Sequence, residues 1–243
     1  PCRIETFNSD DDNCLRYLYL IYLKMRTTMK IAGIDEAGKG PVIGPMCVAG
    51  VIMDESNINA LKNLGVADSK KLSPKKRENL ARQIRKYADG IFIQEIEACH
   101  IDELRNIMSM NDIMIRGFSS VLENLKPDMA YVDAADVNAE RFGKKLLAAY
   151  EKKHEGEKKP EIVSEHRADD IYPIVSAASI IAKVRRDELI GNIKKSINED
   201  FGSGYPSDPK TKKFLQEWMD KNGNLPDFVR HSWKTAAKIK VSK

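Results

Sequence analysis

Apolar and polar positions follow two different periods along this chain, and the changes of period divide it into predicted strands and helices. Short apolar runs bounded by glycine, proline or charged residues are typical of buried strands, whereas apolar positions three and four apart indicate helices. The runs predict strands near 29–35, 42–53, 91–96, 129–132 and 161–164. The helical spacing predicts helices near 74–87, with Ser73 as N-cap, and near 111–125, 139–150, 172–195 and 208–221, with 172–195 apolar on one side. This order predicts an α/β fold, a mixed sheet with helices on its faces and a helical C-terminal appendage.

The first 28 residues do not share this pattern. An acidic patch at residues 10–12 precedes an apolar run at 15–25, which is about half the length needed to span a bilayer. The run also lacks a small-residue cleavage site, so we expect neither a signal peptide nor a membrane span. We interpret residues 1–28 as an extension of uncertain order.

Acidic residues follow three of the predicted strands where each strand ends. Asp35 and Glu36 end the first strand, Asp133 follows 129–132, and Asp169 and Asp170 follow 161–164. Because ligands of open α/β sheets bind in the crevice outside the strand ends, these acids are candidates for one site. Neighbouring buried carboxylates need a compensating cation, and oxygen-only ligands favour Mg²⁺ or Mn²⁺. The set suits a two-metal site with ions about 3.5–4 Å apart.

Each acid also has a structural interpretation. Asp35 and Glu36 could open a solvated turn, and Asp133 could cap a helix, although Asp136 fits that role better. Asp169 or Asp170 could cap the helix near 172–195, and spacing alone does not separate these two.

A glycine-rich turn follows the first two acids directly. Gly38, Lys39 and Gly40 place bare backbone N–H groups beside a cation, a combination that suits phosphate oxygens. A metal site next to a phosphate site indicates phosphoryl transfer.

Charge is segregated along the 243 residues, whose formal net charge is +4. Residues 62–86 hold nine Lys or Arg against two acids, and residues 205–243 hold nine against four. Two basic zones around an acidic centre predict a surface that binds a polyanion, whereas either zone alone would be typical of a solvated helix face.

The four cysteines give no metal or disulfide pattern. Cys2, Cys14, Cys47 and Cys99 are too widely spaced for a metal-ligand pair or a disulfide framework. We therefore expect reduced thiols and a cytoplasmic location.

Seven motifs, taken together and in order, resemble those of ribonuclease HII, the type 2 ribonuclease H, in an archaeal style. They are 35–41, 68–72, 133–136, 166–170, 176–183, 202–209 and 233–235. The resemblance implies an RNase H-like fold with a mixed five-stranded sheet flanked by helices. It also implies a catalytic domain at 29–197 and a helical substrate-binding region at 198–243.

The resemblance further implies an activity and its residues. Members of this family cleave the RNA strand of RNA/DNA hybrids, and ribonucleotides embedded in duplex DNA, with Mg²⁺ or Mn²⁺, leaving 5′-phosphate and 3′-hydroxyl ends. Their four metal-binding acids carry over to Asp35, Glu36, Asp133 and Asp169, which favours Asp169 over Asp170. Asp187 is expected to be structural.

Seven substrate-binding residues are implied in the same way. The glycine turn would read the ribose 2′-hydroxyl, an aromatic ring would pack on the neighbouring sugar, and three residues of the first basic zone would bind phosphates. These residues are Gly38, Lys39 and Gly40, then Tyr205, then Ser69, Lys70 and Lys71.

Two features depart from the family pattern. Lys39 stands where most members have arginine, and a lysine there resembles ribonuclease HIII. The lysine ammonium is a compact charge, whereas the planar arginine guanidinium can form two parallel hydrogen bonds. Residues 236–243 lack the glutamine and paired aromatic residues of the sliding-clamp peptide that many archaeal members carry. We therefore expect a monomer without a clamp partner.

Two other functions fit part of the sequence. A non-catalytic module that binds hybrids would use the same basic zones with the acids in structural roles, but it would be expected to have lost a metal-binding acid. A metal-dependent phosphatase or transferase for small substrates would explain the acids but not the basic zones.

Overall fold

The computed structural model describes residues 28–66 and 72–241. Its strands are β1 (Lys30–Ala37), β2 (Met46–Asp54), β3 (Gly90–Ile96), β4 (Met129–Asp133) and β5 (Glu161–Glu165). The helices within these ranges are α1 (Ile58–Asn63), α2 (Pro74–Tyr87), α3 (Ala98–Arg105), α4 (Met110–Leu125), α5 (Ala139–Lys153), α6 (Ala168–Ile171), α7 (Pro173–Ile197), α8 (Pro209–Asn222) and α9 (Lys234–Ala237). A short 3-10 turn, Glu55–Asn57, precedes α1. Apart from Thr28, the predicted extension lies outside the described residues.

The five strands form one mixed sheet in the order β3-β2-β1-β4-β5. The first three strands along the chain pair antiparallel, and β4 and β5 add parallel to β1 on its other side. A short connection joins the antiparallel strands β1 and β2, and helical crossovers precede β4 and β5, as parallel pairing requires; β2 and β3 pair antiparallel although residues 55–89, with α1 and α2, lie between them. The predicted fold class, a mixed five-stranded sheet with flanking helices, is confirmed.

Helices cover both faces of the sheet. On one face α3, α4 and α5 pack against Ala32, Ile34 and Val48, and on the other α1, α2 and α7 pack against Ile31 and Val51. Because successive side chains point to opposite faces, a strand covered on both sides is apolar throughout. This explains why the second predicted strand is a continuous apolar run.

Helix α7 is more deeply buried than its sequence predicts. All nine residues of 174–182 are buried, so the expectation of a helix apolar on one side is wrong for its first half. Small residues allow this close packing. A Cβ on Gly33 in β1 would lie 2.3 Å from the backbone carbonyl carbon of Ile174, a distance that only glycine permits.

The residues before β2 contradict the predicted strand 42–53. Val42 and Ile43 are buried but lie outside β2, because their partners are in the C-terminal arm, defined as residues 198–241. Ile43 forms an isolated bridge with Val229, and both pack with Phe201 and Phe214 in a separate apolar cluster. The arm is therefore joined to the connection between β1 and β2.

Other elements agree with the predictions or were too short to predict. Ser73 caps α2 by accepting a hydrogen bond from the Lys76 amide. Helices α1, α3, α6 and α9 have four to eight residues, too few to show a period. In the described ranges we find no helix with the length and apolarity required to cross a bilayer.

Candidate active site

Two of the predicted acids meet at one edge of the sheet because of strand register. The strands β1 and β4 run parallel with Ile34 opposite Val132, so the next residues, Asp35 and Asp133, lie side by side and point to the same face. Asp35 is 4% exposed. The parallel register thus explains how residues 98 positions apart form one acidic site.

The acidic edge carries a surplus of negative charge. Burial raises the pKa of Asp35 well above its usual range, and repulsion from Glu36 and Asp133 adds to this effect. Burial also raises the pKa of Glu36, although a hydrogen bond with Asp35 and the charge of Lys39 act in the opposite direction. The Ser179 hydroxyl on α7 is near Asp35 but falls outside hydrogen-bond geometry. Neighbouring buried carboxylates of this kind are stabilised by a divalent cation.

The third predicted junction joins the same edge. The amide of Ala168, at the start of α6, donates a 3.0 Å hydrogen bond to Asp133 Oδ1. Asp169 follows directly and is 5% exposed, whereas Asp170 is exposed and forms a 2.8 Å ion pair with Arg167. The structure therefore separates the two candidates by burial.

Neither Asp169 nor Asp170 caps the long helix, so that structural interpretation is wrong. Both lie inside the separate helix α6, and α7 begins after Tyr172 without a side-chain cap. The cause is Pro173, which restricts the preceding residue to an extended conformation and suits the first position of a helix.

Asp136 is likewise not the helix cap that its position suggested. Asn138 caps α5 by accepting from the Arg141 amide. Asp136 instead accepts hydrogen bonds from the Arg141 side chain, one at 3.1 Å from Nε. It is therefore engaged in an ion pair beside the acidic edge.

The donor set at this edge fits a hard divalent ion. The nearby groups are carboxylate oxygens, the ligands preferred by Mg²⁺ and Mn²⁺. As placed, no three His, Cys, Asp or Glu side chains within 28–66 and 72–241 converge closely enough to hold an ion. The fit therefore rests on the chemistry and burial of the carboxylates.

The glycine turn, Gly38–Gly40, leaves β1 directly after these acids. Gly38 has φ of +91°, and a Cβ there would lie 2.4 Å from Arg186 Nε. The Lys39 ammonium donates to the carbonyl of Ala135, two residues beyond Asp133. The turn thus lies close against α7 and is hydrogen-bonded to the loop after β4.

Two residues of the C-terminal arm support this turn: Trp233 belongs to a motif noted in the sequence but was given no role there, and Arg230 was not predicted at all. Arg230 is fully buried and donates to the carbonyls of Gly38 at 2.6 Å and of Lys39 at 3.0 Å. Trp233 Nε1 donates to the Gly40 carbonyl at 3.1 Å. Burial lowers the pKa of Arg230 to about 9, still above neutral pH, so the guanidinium remains charged. In the sequence, the one feature that could have drawn attention to Arg230 is its position in a short apolar segment.

Two open grooves flank the glycine turn and share Glu36 and Lys39. The first has a volume of about 430 Å³ and is bordered by Tyr205 and Arg186 among others. The second, of about 500 Å³, extends past His166. The turn therefore forms a ridge between two solvent-filled depressions.

Tyr205 borders the first groove with an exposed ring. Its side chain is 43% exposed, its ring lies over Arg186 with 5.8 Å between the guanidinium carbon and the ring centroid, and a Cβ on Gly40 would be 3.7 Å from it. It is therefore not the core aromatic that a lone tyrosine would suggest.

The other predicted residues divide into two groups. Asp187 forms a 2.7 Å ion pair with Arg77, consistent with a structural role. Ser69, Lys70 and Lys71 lie outside the described residues.

Comparison with known proteins gives consistent matches over most of the chain. The family model for ribonuclease HII matches residues 32–236. A ribonuclease HII from Methanococcoides burtonii is 65% identical over 211 residues, covering 87% of this chain and 99% of the relative.

Two solved structures show the same similarity. The crystal structure of ribonuclease H2 from Pyrococcus horikoshii OT3 has a TM-score of 0.80 at 42% identity and covers 86% of this chain and 96% of its own. The RNase HII in the PCNA:RNase HII complex from Archaeoglobus fulgidus has a TM-score of 0.76 at 43% identity, with 85% and 96% covered. Sequence and fold agree, and the chain belongs to the ribonuclease HII family of metal-dependent ribonucleases H.

Proposed function

We propose that this ribonuclease H cleaves the RNA strand of RNA/DNA hybrids, and also ribonucleotides embedded in duplex DNA, by two-metal hydrolysis that leaves 5′-phosphate and 3′-hydroxyl ends. One observation carries the proposal. Asp35, which is buried, and Asp133, which is half-buried, lie side by side at the ends of two parallel strands, next to a turn that borders a groove. This arrangement supports the proposal of a phosphoryl-transfer site beside a site that recognises a hydroxyl group.

The acids of the edge would hold the metal ions. Asp35, Glu36, Asp133 and Asp169 supply carboxylate oxygens, and bound Mg²⁺ or Mn²⁺ would lower the pKa of a water and neutralise charge on the leaving oxygen. The protein itself orients these carboxylates. The Ala168 amide fixes Asp133 and the Glu36 amide donates to Asp35 Oδ1 at 2.7 Å.

Recognition of the ribose is proposed for the glycine turn. Within the described ranges the amides of Lys39 and Gly40 have no protein acceptor, so they are free to donate to a 2′-hydroxyl, the group that distinguishes RNA from DNA. The exposed Tyr205 ring would pack on the adjacent sugar. Ser69, Lys70 and Lys71 would bind phosphates, in keeping with the basic zone in which they lie.

The proposed partners are nucleic acids alone. RNase HII of Archaeoglobus fulgidus was solved in complex with PCNA. We propose no clamp contact through residues 236–243, which contain neither glutamine nor an aromatic residue. We propose a monomer in solution, which size-exclusion chromatography with light scattering would test.

Cleavage of defined duplexes tests the proposal. A duplex with one ribonucleotide, a full RNA/DNA hybrid and an all-DNA duplex of the same sequence would be incubated with Mg²⁺, with Mn²⁺ and with a chelator. We expect metal-dependent nicking of the first two only, with 5′-phosphate and 3′-hydroxyl ends that a ligase can join directly. Absence of a nick in both, with either metal, would refute the proposal.

Salt dependence separates this function from that of an enzyme for small phosphate esters. A protein that contacts several phosphates loses on the order of 10³-fold in affinity between 50 and 200 mM salt. A small substrate with one phosphate would show a much shallower dependence.

A further inference from the structure

The carbonyl groups of the glycine turn are held by the C-terminal arm. Arg230 binds the carbonyls of Gly38, Lys39 and Gly44, the last at 3.0 Å, and Trp233 binds that of Gly40. Three consecutive carbonyls of an irregular segment are thus bound by two side chains. The backbone is also tied to the arm by hydrogen bonds from the Val42 and Ile43 amides to the Gly204 carbonyl.

This arrangement sets the direction of the amides. In a trans peptide the carbonyl of one residue and the N–H of the next point in opposite directions. Because the carbonyls of Gly38 and Lys39 point at Arg230, the amides of Lys39 and Gly40 point away from it. Among the residues described, no acceptor meets these two amides, which leaves them available to a ligand.

We propose that Arg230 and Trp233 are positioning residues for substrate specificity: they turn the amides of the glycine turn toward the groove, so that the enzyme can detect a ribose 2′-hydroxyl. This inference rests on the proposed function. It assigns to the C-terminal arm the construction of the ribose-recognising element, in addition to the substrate contact proposed for Tyr205.

The chemistry of the two side chains suits this role. A guanidinium is a rigid planar fork with five donors, so one arginine can hold several carbonyls in fixed directions, which the single ammonium of lysine cannot do. Trp233 also supports the fork, since its ring lies 4.8 Å from the Arg230 guanidinium carbon. Neither side chain needs to touch the substrate.

The test compares recognition of ribose with recognition of the duplex. For each variant kcat/KM would be measured on a duplex with one ribonucleotide, and the all-DNA duplex would be used as a competitive inhibitor to give Ki. We expect Arg230→Lys to lower kcat/KM about 100-fold, the effect of a misplacement of about 1 Å. Trp233→Phe, which keeps the ring and removes one donor, should lower it about fivefold. In both variants Ki should stay within about twofold of the wild-type value, because phosphate contacts are unaffected.

A matched control separates positioning from general weakening of the arm. Phe214 is buried in the same cluster but does not contact the turn. Phe214→Leu should therefore leave kcat/KM and Ki unchanged at temperatures well below its unfolding transition.

The outcomes are distinct. The inference would be overturned if folded Trp233→Phe kept the wild-type kcat/KM. It would also be overturned if the variants lost kcat/KM and inhibitor affinity to the same extent. Trp233→Phe alone is sufficient for both tests if Arg230→Lys fails to fold. Failure of the unmodified enzyme to nick the ribonucleotide duplex would instead refute the proposed function.

Discussion

The acidic edge and the glycine turn are adjacent in sequence but are held in place in different ways. Asp35 and Asp133 owe their positions to the backbone register of two parallel strands in the middle of the sheet. The turn owes its conformation to the side chain of Arg230, which lies 191 and 192 residues from two of its acceptors. One half of the site is therefore built from backbone, and the other from distant side chains.

This difference predicts how each half responds to substitution. A register of many backbone hydrogen bonds does not depend on any single side chain, so an acid can be replaced without loss of the fold. A turn held by two side chains depends on each of them, so substitutions far from the chemistry can change it. The following experiments test this contrast.

The largest effect is expected when an acid of the edge is neutralised. Asp169→Asn should reduce nicking at least about 10³-fold, since it removes a proposed metal ligand, while circular dichroism and the melting temperature remain close to those of the wild type. Asp170→Asn is the matched control, because Asp170 is exposed and forms an ion pair with Arg167. Equal losses in the two variants, or the reverse order, would show that the assignment of Asp169 is wrong.

The backbone construction of the acidic half is tested at Gly33. Gly33→Ala places a methyl group 2.3 Å from the Ile174 backbone, and we expect the free energy of unfolding to fall by about 3 kcal/mol in urea titrations. A methyl group on Gly191 in α7 would meet no atom within 4 Å outside the backbone of its own helix, so Gly191→Ala should instead stabilise by about 0.5–1 kcal/mol. If both substitutions stabilised the protein, the close contact between strand and helix would be refuted.

The contrast between local backbone structure and distant side-chain contacts also explains which features the sequence could predict. Strands, their terminal acids and the Ser73 cap depend on local pattern, and each was predicted close to its observed position. The nine buried residues of α7, the irregular segment at 42–45 and the roles of Arg230 and Trp233 depend on tertiary neighbours. No local period marks an arginine that will bind carbonyls near the other end of the chain.

The attachment of the C-terminal arm to the main fold should contribute a smaller amount. Asp102 in α3 accepts hydrogen bonds from the amides of His231 at 2.6 Å and Ser232 at 3.0 Å. Asp102→Ala should lower the free energy of unfolding by about 1 kcal/mol. Glu103→Ala, on the exposed side of the same helix, should change it by less than about 0.5 kcal/mol. A similar value for both would mean that Asp102 does not anchor the arm.

The smallest effect concerns acid stability of the loop that carries Tyr205. Hydrogen bonds from the Ser203 amide and hydroxyl, together with that of the Lys210 amide, lower the pKa of Asp208 to about 2. A carboxylate with a lowered pKa stabilises the fold above the pKa of the unfolded chain, and this contribution is lost as pH falls toward 2. The wild type should therefore melt slightly above Asp208→Asn at pH 6, and the difference should shrink as pH falls from 4 through 2. A difference that stays constant from pH 6 to pH 2 would contradict this origin.

The contact between Gly33 and Ile174 also limits how the enzyme can move. β1 lies between two strands and beneath α7, so its amide hydrogens should exchange with solvent only through global unfolding. The glycine turn begins one residue after this strand, and its amides should exchange quickly. The boundary between the slowest and the fastest exchanging amides would then fall between Ala37 and Lys39, because the carbonyls of the turn are held by the C-terminal arm while its amides meet no acceptor among the described residues.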